Sequence, residues 1–142
     1  MLMDLFCEWF QGSFNNRAQT QEDPRSARYI MAIHDRISER QFYCTYYYHR
    51  TKTPYREMLF DVKYHDGSIH LVESAMGRSL IFNQEGSTFI CKVDYRVNDK
   101  LYFFDAYLTN GLYRVNDRCY GLDGEVSRGL KQDDYFVFKK TN

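Results

Sequence analysis

Arg56 is the residue whose spacing best suits binding an anion. It opens the run Arg56, Met58, Phe60, Val62, in which every second residue shares a face, while Glu57, Asp61 and Lys63 point the other way. A guanidinium at the mouth of an otherwise apolar face suits an anionic ligand, because its planar fork matches a carboxylate. A surface arginine at the start of a strand has the same pattern. Asp117 and Arg118 precede a polar stretch. They read either as a carboxylate with its ion-pair partner or as an ordinary turn aspartate beside a basic neighbour. Tyr47 and Tyr55 flank an aromatic segment and would either contact a ligand or fill a core. Cys7, Cys44, Cys91 and Cys119 are spread evenly and form no C-x-x-C. They read as reduced structural thiols. His34, His49, His65 and His70 lack metal-ligand spacing, so no metal site is expected. Phosphate-binding, nucleophile-elbow and zinc-protease motifs are absent.

The elements that must position these residues are mostly strands. Residues 1–11 read as a helix with Leu2, Leu5, Phe6, Trp9 and Phe10 on one apolar face, stopped at Gly12. The polar stretch from Ser13 to Arg25 has room for one helical turn around Arg17 to Gln21. Beyond Pro24 the hydrophobic period changes from 3.6 to 2. Residues 28–35, 41–50 and 56–65 alternate cleanly, and shorter strands are expected at 68–73, 79–83, 88–97, 100–108, 112–118 and 135–140. Asn110-Gly111 and Val97-Asn98-Asp99-Lys100 read as hairpin turns, and Asp66-Gly67 as another turn. About nine short strands at regular spacing predict an all-β antiparallel sandwich or barrel, with the N-terminal helix packed against it. Both faces of the 41–50 strand carry aromatics. We therefore expect one face on the core and the other on a ligand cavity or interface.

The chain has 142 residues and reads as a single domain over 1–142. Lys plus Arg and Asp plus Glu each number 19, so it carries no net charge. That removes a global drive toward nucleic acid. Tyr and Phe number 13 and 11 beside a single Trp, which makes aromatic content the unusual feature. No stretch approaches the ~18 apolar residues of a membrane span. The opening MLMDLFCEWF carries Asp4 and Glu8 with no basic segment ahead of it, so no secretory signal is expected. The expectation is a cytoplasmic protein with no membrane or nucleic-acid partner.

Three stretches, in order, resemble the T-type phycobiliprotein lyases, the CpcT/CpeT chromophore lyase family. They are the opening Trp9 to Gln19, with Trp9, Gly12, Phe14, Asn16 and Gln19; the Pro54-Tyr55-Arg56 triplet after a tyrosine-rich strand; and Asp117-Arg118 with the ending Phe136-Val137-Phe138-Lys139. The sequence departs from the family at four places. Cys44 and Thr45 stand where a Glu-Gln pair is usual, Met58 where a second arginine follows the triplet, Cys119 where the Asp-Arg pair meets a glycine, and Arg128-Gly129 where a Trp-Gly is found. The short loops resemble a cyanophage-borne member.

The resemblance implies a calycin-like (lipocalin-like) β-barrel, often dimeric, that binds a linear tetrapyrrole. The bilin would be phycoerythrobilin by preference, or phycocyanobilin. The barrel would deliver it to a cysteine of a phycobiliprotein β-subunit, phycoerythrin favoured, as a thioether. This would take place in a cyanobacterial or phage-infected cell, in support of the phycobilisome. No tightly held cofactor is implied. Arg56 would clamp a propionate, Tyr47 and Tyr55 would stack on or hydrogen-bond the chromophore, and Trp9 would close one barrel end or touch the ligand. Asp117, with Arg118 beside it, would serve as acid or counter-ion. A protonated bilin is the better electrophile for a thiolate, which makes Asp117 and Arg56 the implied catalytic residues. Two alternatives stay open: a bilin carrier that does not complete transfer, and a calycin-type binder of another apolar ligand. A homodimer and a docked acceptor would use exposed tyrosine-rich strands equally well.

Overall fold

The computed structural model describes residues 2–24, 28–75, 77–120, 126–128, 130 and 134–141. Two short helices, α1 (Leu2–Phe10) and α2 (Arg17–Glu22), accompany eleven strands. In chain order the strands are β1 (Gly12–Asn15), β2 (Ile30–Ser38), β3 (Gln41–Tyr48), β4 (Pro54–His65), β5 (Ser68–Glu73) and β6 (Arg78–Glu85). They continue with β7 (Thr88–Val97), β8 (Lys100–Thr109), β9 (Leu112–Tyr120), β10 (Val126–Arg128) and β11 (Phe136–Lys140). The sheet runs β10-β9-β11-β1-β2-β3-β4-β5-β6-β7-β8, and β8 pairs back onto β9. That pairing closes an antiparallel ring of ten strands, with β10 added where β9 extends past β11. Closure removes the exposed edges an open sheet would present. The expected calycin-like barrel with an N-terminal helix is therefore what the chain forms. No described helix is long and apolar enough to cross a membrane.

The hairpins turn where the sequence places them. Asp66-Gly67, Asn98-Asp99 and Asn110-Gly111 separate paired strands, and Asp66, Gly67, Asn98 and Gly111 all take positive φ. Two strands escape the sequence pattern. β1 is a four-residue strand of polar composition with only Phe14 buried, so it reads as loop. β10 is three residues long, below the length at which alternation can be seen.

Helix α1 plugs one end of the barrel. Its buried stripe is Met3, Phe6, Cys7 and Phe10, rotated from the expected face, so that Leu2, Leu5 and Trp9 lie at its margin. Phe6 meets Phe82 and Phe89 at ring-centroid distances of 5.1 and 5.3 Å, and Phe10 meets Phe42 and Tyr113. All of these strand residues point inward, so the helix converts that half of the barrel into a solid core. Two side-chain amides, one buried (Asn16) and one half-buried (Gln19), then tie the chain down beyond the plug. Asn16 donates from Nδ2 to the Arg28 carbonyl and accepts from the Ile30 amide, both at 2.7 Å. Gln19 does the same for the Tyr135 carbonyl and the Val137 amide, at 2.6 and 3.0 Å. Each side chain mimics a strand neighbour where the ladder lacks one.

Candidate functional site

Opposite the plug the barrel stays open. A cavity of about 1160 Å³ lies there, somewhat above the ~300–1,000 Å³ range of small-molecule sites. Phe10 and Tyr113 form part of its floor, Tyr46, Tyr48, Tyr55, Phe104 and Phe136 part of its walls, and Arg28 and Arg50 lie at its mouth. Core and cavity are thus two halves of one interior. The inward face of β3 fills the core with Phe42 and Cys44 and then lines the cavity with Tyr46 and Tyr48. Of the two expectations for the second face of this strand, a ligand cavity or an interface, the cavity is corrected: core and cavity share the inward face. Tyr43 and Tyr47 alternate to the barrel's outer face.

The Pro54-Tyr55-Arg56 triplet has a geometric role. Tyr46 pairs with Arg56 and Tyr47 with Pro54, which leaves Tyr55 as the extra residue of a β-bulge. A bulge breaks strict alternation and re-aims side chains. Tyr55 and Arg56, adjacent in sequence, consequently both line the cavity. Tyr55 stacks on Tyr48 with centroids 4.6 Å apart.

Inside, Arg56 Nη1 donates to Asp117 Oδ2 at 2.7 Å across the barrel. Burial works against the Arg56 charge, but the ion pair outweighs it and raises the guanidinium pKa. Arg78 Nη1 lies 3.7 Å from the same oxygen. Arg78 also donates to Glu73 Oε1 at 2.9 Å and to the Tyr95 hydroxyl at 2.6 Å, and its guanidinium lies near the Tyr95 and Phe104 rings. Two guanidiniums and two carboxylates therefore balance one another in the upper interior.

His34 carries the polarity down to the plug. Its Nδ1 lies 2.8 Å from the Phe10 carbonyl and its Nε2 lies 2.9 Å from the Tyr46 hydroxyl. A carbonyl only accepts, so Nδ1 carries the proton and Nε2 accepts from Tyr46. The Tyr46 oxygen then turns its lone pairs toward the cavity. Burial lowers the His34 pKa to about 4, and burial likewise drives the Tyr46 phenol well above its ordinary range.

Of the residues singled out from sequence, the structure brings Arg56, Tyr55 and Asp117 together. Trp9 lies outside the cavity lining, edge-on to Phe89 at the margin of the plug. Tyr47 is outside the lining because the alternation of β3 turns it outward, and Arg118 because β9 turns it away from Asp117. Arg118 pairs with Asp105 at 2.7 Å and lies over Phe103, so it is not the ion-pair partner of Asp117. Arg128 lies on β10, and Gly129 lies outside the described residues.

Sequence reasoning missed Glu73, Arg78, His34, Tyr46 and Tyr48. The signal for Arg78 was present. Arg78, Leu80 and Phe82 share a face just as Arg56, Met58 and Phe60 do, but the strand was expected to begin at Ser79. The departures at Cys44 and Met58 prove to be cross-strand partners, both inward and buried. The Glu73–Arg78 pair lies beside them, with Arg78 Nη2 3.8 Å from Met58 Sδ. Among the described residues no cluster of three His, Cys, Asp or Glu suits a metal ion.

Neither a family model nor a curated sequence matches the chain. Solved structures do. The T-type phycobiliprotein lyase CpeT from Prochlorococcus phage P-HM1 superposes with a TM-score of 0.85 at 27% identity, over 99% of this chain and 98% of that one. The chain has the T-type lyase fold. The CRL protein of Arabidopsis shares the fold at a TM-score of 0.75 and 13% identity, over 98% of this chain and 97% of that chain. The sequence-level resemblance to T-type lyases of cyanophage type therefore extends over the whole barrel.

Proposed function

We propose that this protein is a bilin lyase. It would bind a linear tetrapyrrole in its cavity and deliver it to a cysteine of a phycobiliprotein β-subunit as a thioether. Phycoerythrobilin is the favoured ligand, phycocyanobilin the alternative, and phycoerythrin the favoured acceptor. The observation that carries this reading is the cavity itself: a wide slot walled by tyrosine and phenylalanine rings, with an Arg56–Asp117 pair at its depth, in a fold shared with a phage lyase. Aromatic walls suit a conjugated ligand. Held by Arg56, Asp117 offers an acceptor to pyrrole N–H groups, which suits it to stabilise a protonated, more electrophilic chromophore. Cys44 and Cys91 have thiols raised by burial, so the attacking thiolate is assigned to the acceptor. The protein's own part is positioning and exclusion of water. The exposed Tyr43–Leu59 cross-strand pair offers a surface for the acceptor or for a homodimer. The setting would be the cytoplasm of a cyanobacterial or phage-infected cell.

A bilin carrier that stops short of transfer is the second reading, and the Cys44–Met58 pair favours it. Titration with each bilin, followed by absorbance, tests binding. Adding apo β-subunit and staining a denaturing gel with zinc tests transfer. We expect a red-shifted, sharpened band, weakened by Asp117→Asn, and covalent colour on the acceptor. Colour that stays non-covalent selects the carrier. No spectral response to either bilin overturns both.

A further inference from the structure

Four arginines line the cavity: Arg28, Arg50, Arg56 and Arg78. Arg56 and Arg78 are paired with Asp117 and Glu73. Arg28 and Arg50 have no carboxylate partner among the described residues, and both are exposed at the mouth. Both lie just beyond the same end of the β2–β3 ladder. Ile30 pairs with Tyr48, and the His49 amide donates to the Tyr29 carbonyl at 3.0 Å, with the Tyr29 and His49 rings stacked. Arg28 precedes β2, and Arg50 lies in the turn after β3, where the Thr51 and Lys52 amides donate to the Tyr48 carbonyl. Arg28 is held in place. Its carbonyl accepts from Asn16 at 2.7 Å, and its guanidinium lies 5.2 Å from the centre of the Tyr48 ring, which stacks in turn on Tyr55.

We infer that Arg28 and Arg50 form a carboxylate-binding site at the cavity mouth, and that it fixes the direction in which the ligand lies. Two guanidiniums at one rim, without a carboxylate partner among the described residues, suit a carboxylate, whose oxygens match the planar fork. The deep interior is already charge-balanced, so a dianion has no unpaired cation to meet there. This inference rests on the bilin reading and refines it: the two propionates sit at the mouth on Arg28 and Arg50, and the pyrrole N–H edge lies inward against Asp117 and the Tyr46 oxygen. It also moves the propionate clamp from Arg56, the position expected from sequence, to the rim.

The test compares a bilin with its dimethyl ester, on the wild-type chain, on Arg28→Gln and Arg50→Gln singly and together, and on Arg56→Ala. Each surface arginine should be worth about tenfold in affinity, the low end for a charge-assisted contact. Wild type should therefore bind the acid roughly 100-fold more tightly than the ester. The double variant should bind the two about equally, with its folding unchanged by circular dichroism. Equal binding of acid and ester by wild type overturns the inference and leaves the bilin reading standing. Discrimination that survives in the double variant but disappears in Arg56→Ala also overturns it, placing the carboxylates deep. Failure to bind either form overturns the bilin reading and this inference with it.

Discussion

Acidification should destabilise this protein through His34. The imidazole is 1% exposed, sandwiched against Phe10 at 4.0 Å, and bonded on both nitrogens. Burial holds its pKa at about 4, against 6.5 for the free side chain. Below pH 6.5 the unfolded chain therefore takes up a proton that the folded chain refuses. Stability rises with pH wherever the unfolded state binds more protons, so it must fall as the pH drops from 6.5 toward 4. Between pH 7 and pH 5 the loss from this one group is about 2 kcal/mol. The other three histidines are not buried, and carboxylates titrate mostly below this window. Urea unfolding at pH 7, 6 and 5 measures the slope. His34→Gln keeps a donor and an acceptor but does not titrate, so its stability should change far less over the same interval, whatever its absolute value. A flat wild-type profile, or equal slopes in both proteins, would refute the reasoning. The site should respond too. A protonated Nε2 no longer accepts from Tyr46, whose hydroxyl proton must then turn into the cavity and remove an acceptor from the ligand.

Two further predictions concern groups far from the ligand. All four cysteines are buried, and burial raises the Cys7 and Cys44 thiols and pushes Cys91 up to about 12. A thiol-specific chromogenic reagent at mildly alkaline pH should leave the folded protein unmodified and titrate all four thiols in urea; rapid reaction of the native chain contradicts the burial argument. Gln19→Ala strips partners from the Tyr135 carbonyl and the Val137 amide. It should cost about 1–3 kcal/mol in urea unfolding, and a loss below about 0.5 kcal/mol would mean that water replaces the amide at no cost.

The barrel was legible because period-2 alternation is a property of each strand taken alone. Closure was less so, since β1 and β10 are too short to alternate visibly and register is a relation between distant segments. The cavity residues follow a rule that single strands also carry. Arg56, Arg78, Glu73 and Asp117 each extend an inward apolar face by one step: Met58 and Phe60, Leu80 and Phe82, Leu71 and Ile69, Val115 and Tyr113. The sequence reading applied that rule to Arg56 and missed it at Arg78 by placing a strand boundary one residue late. Tyr47 was a different kind of miss. In a strand with tyrosines on both faces, composition cannot say which face looks inward, and only the pairing of His34 with Cys44 and of Ala32 with Tyr46 decides it.

The division of the interior explains how one small barrel can be both stable and open. Fully buried Phe6, Phe10, Phe42, Phe82 and Phe89 concentrate apolar burial at the plug end, at roughly 1.5–3 kcal/mol for each side chain. The upper half adds buried Phe60, Leu71, Leu80 and Phe138 and carries the desolvation cost of two ion pairs. Those pairs share Asp117 as a common neighbour, and Arg78 is held further by Glu73, the Tyr95 hydroxyl and the Phe104 ring, which braces the walls. Preorganisation of this kind lowers the ordering cost of binding. It also separates two classes of substitution. Changes at the plug should shift unfolding and leave the ligand spectrum alone, whereas changes at the exposed Arg28 or Arg50 should shift the spectrum and barely move the unfolding midpoint. His34, bonded to the plug carbonyl on one side and to a cavity tyrosine on the other, is where the two halves meet, and its substitution should move both.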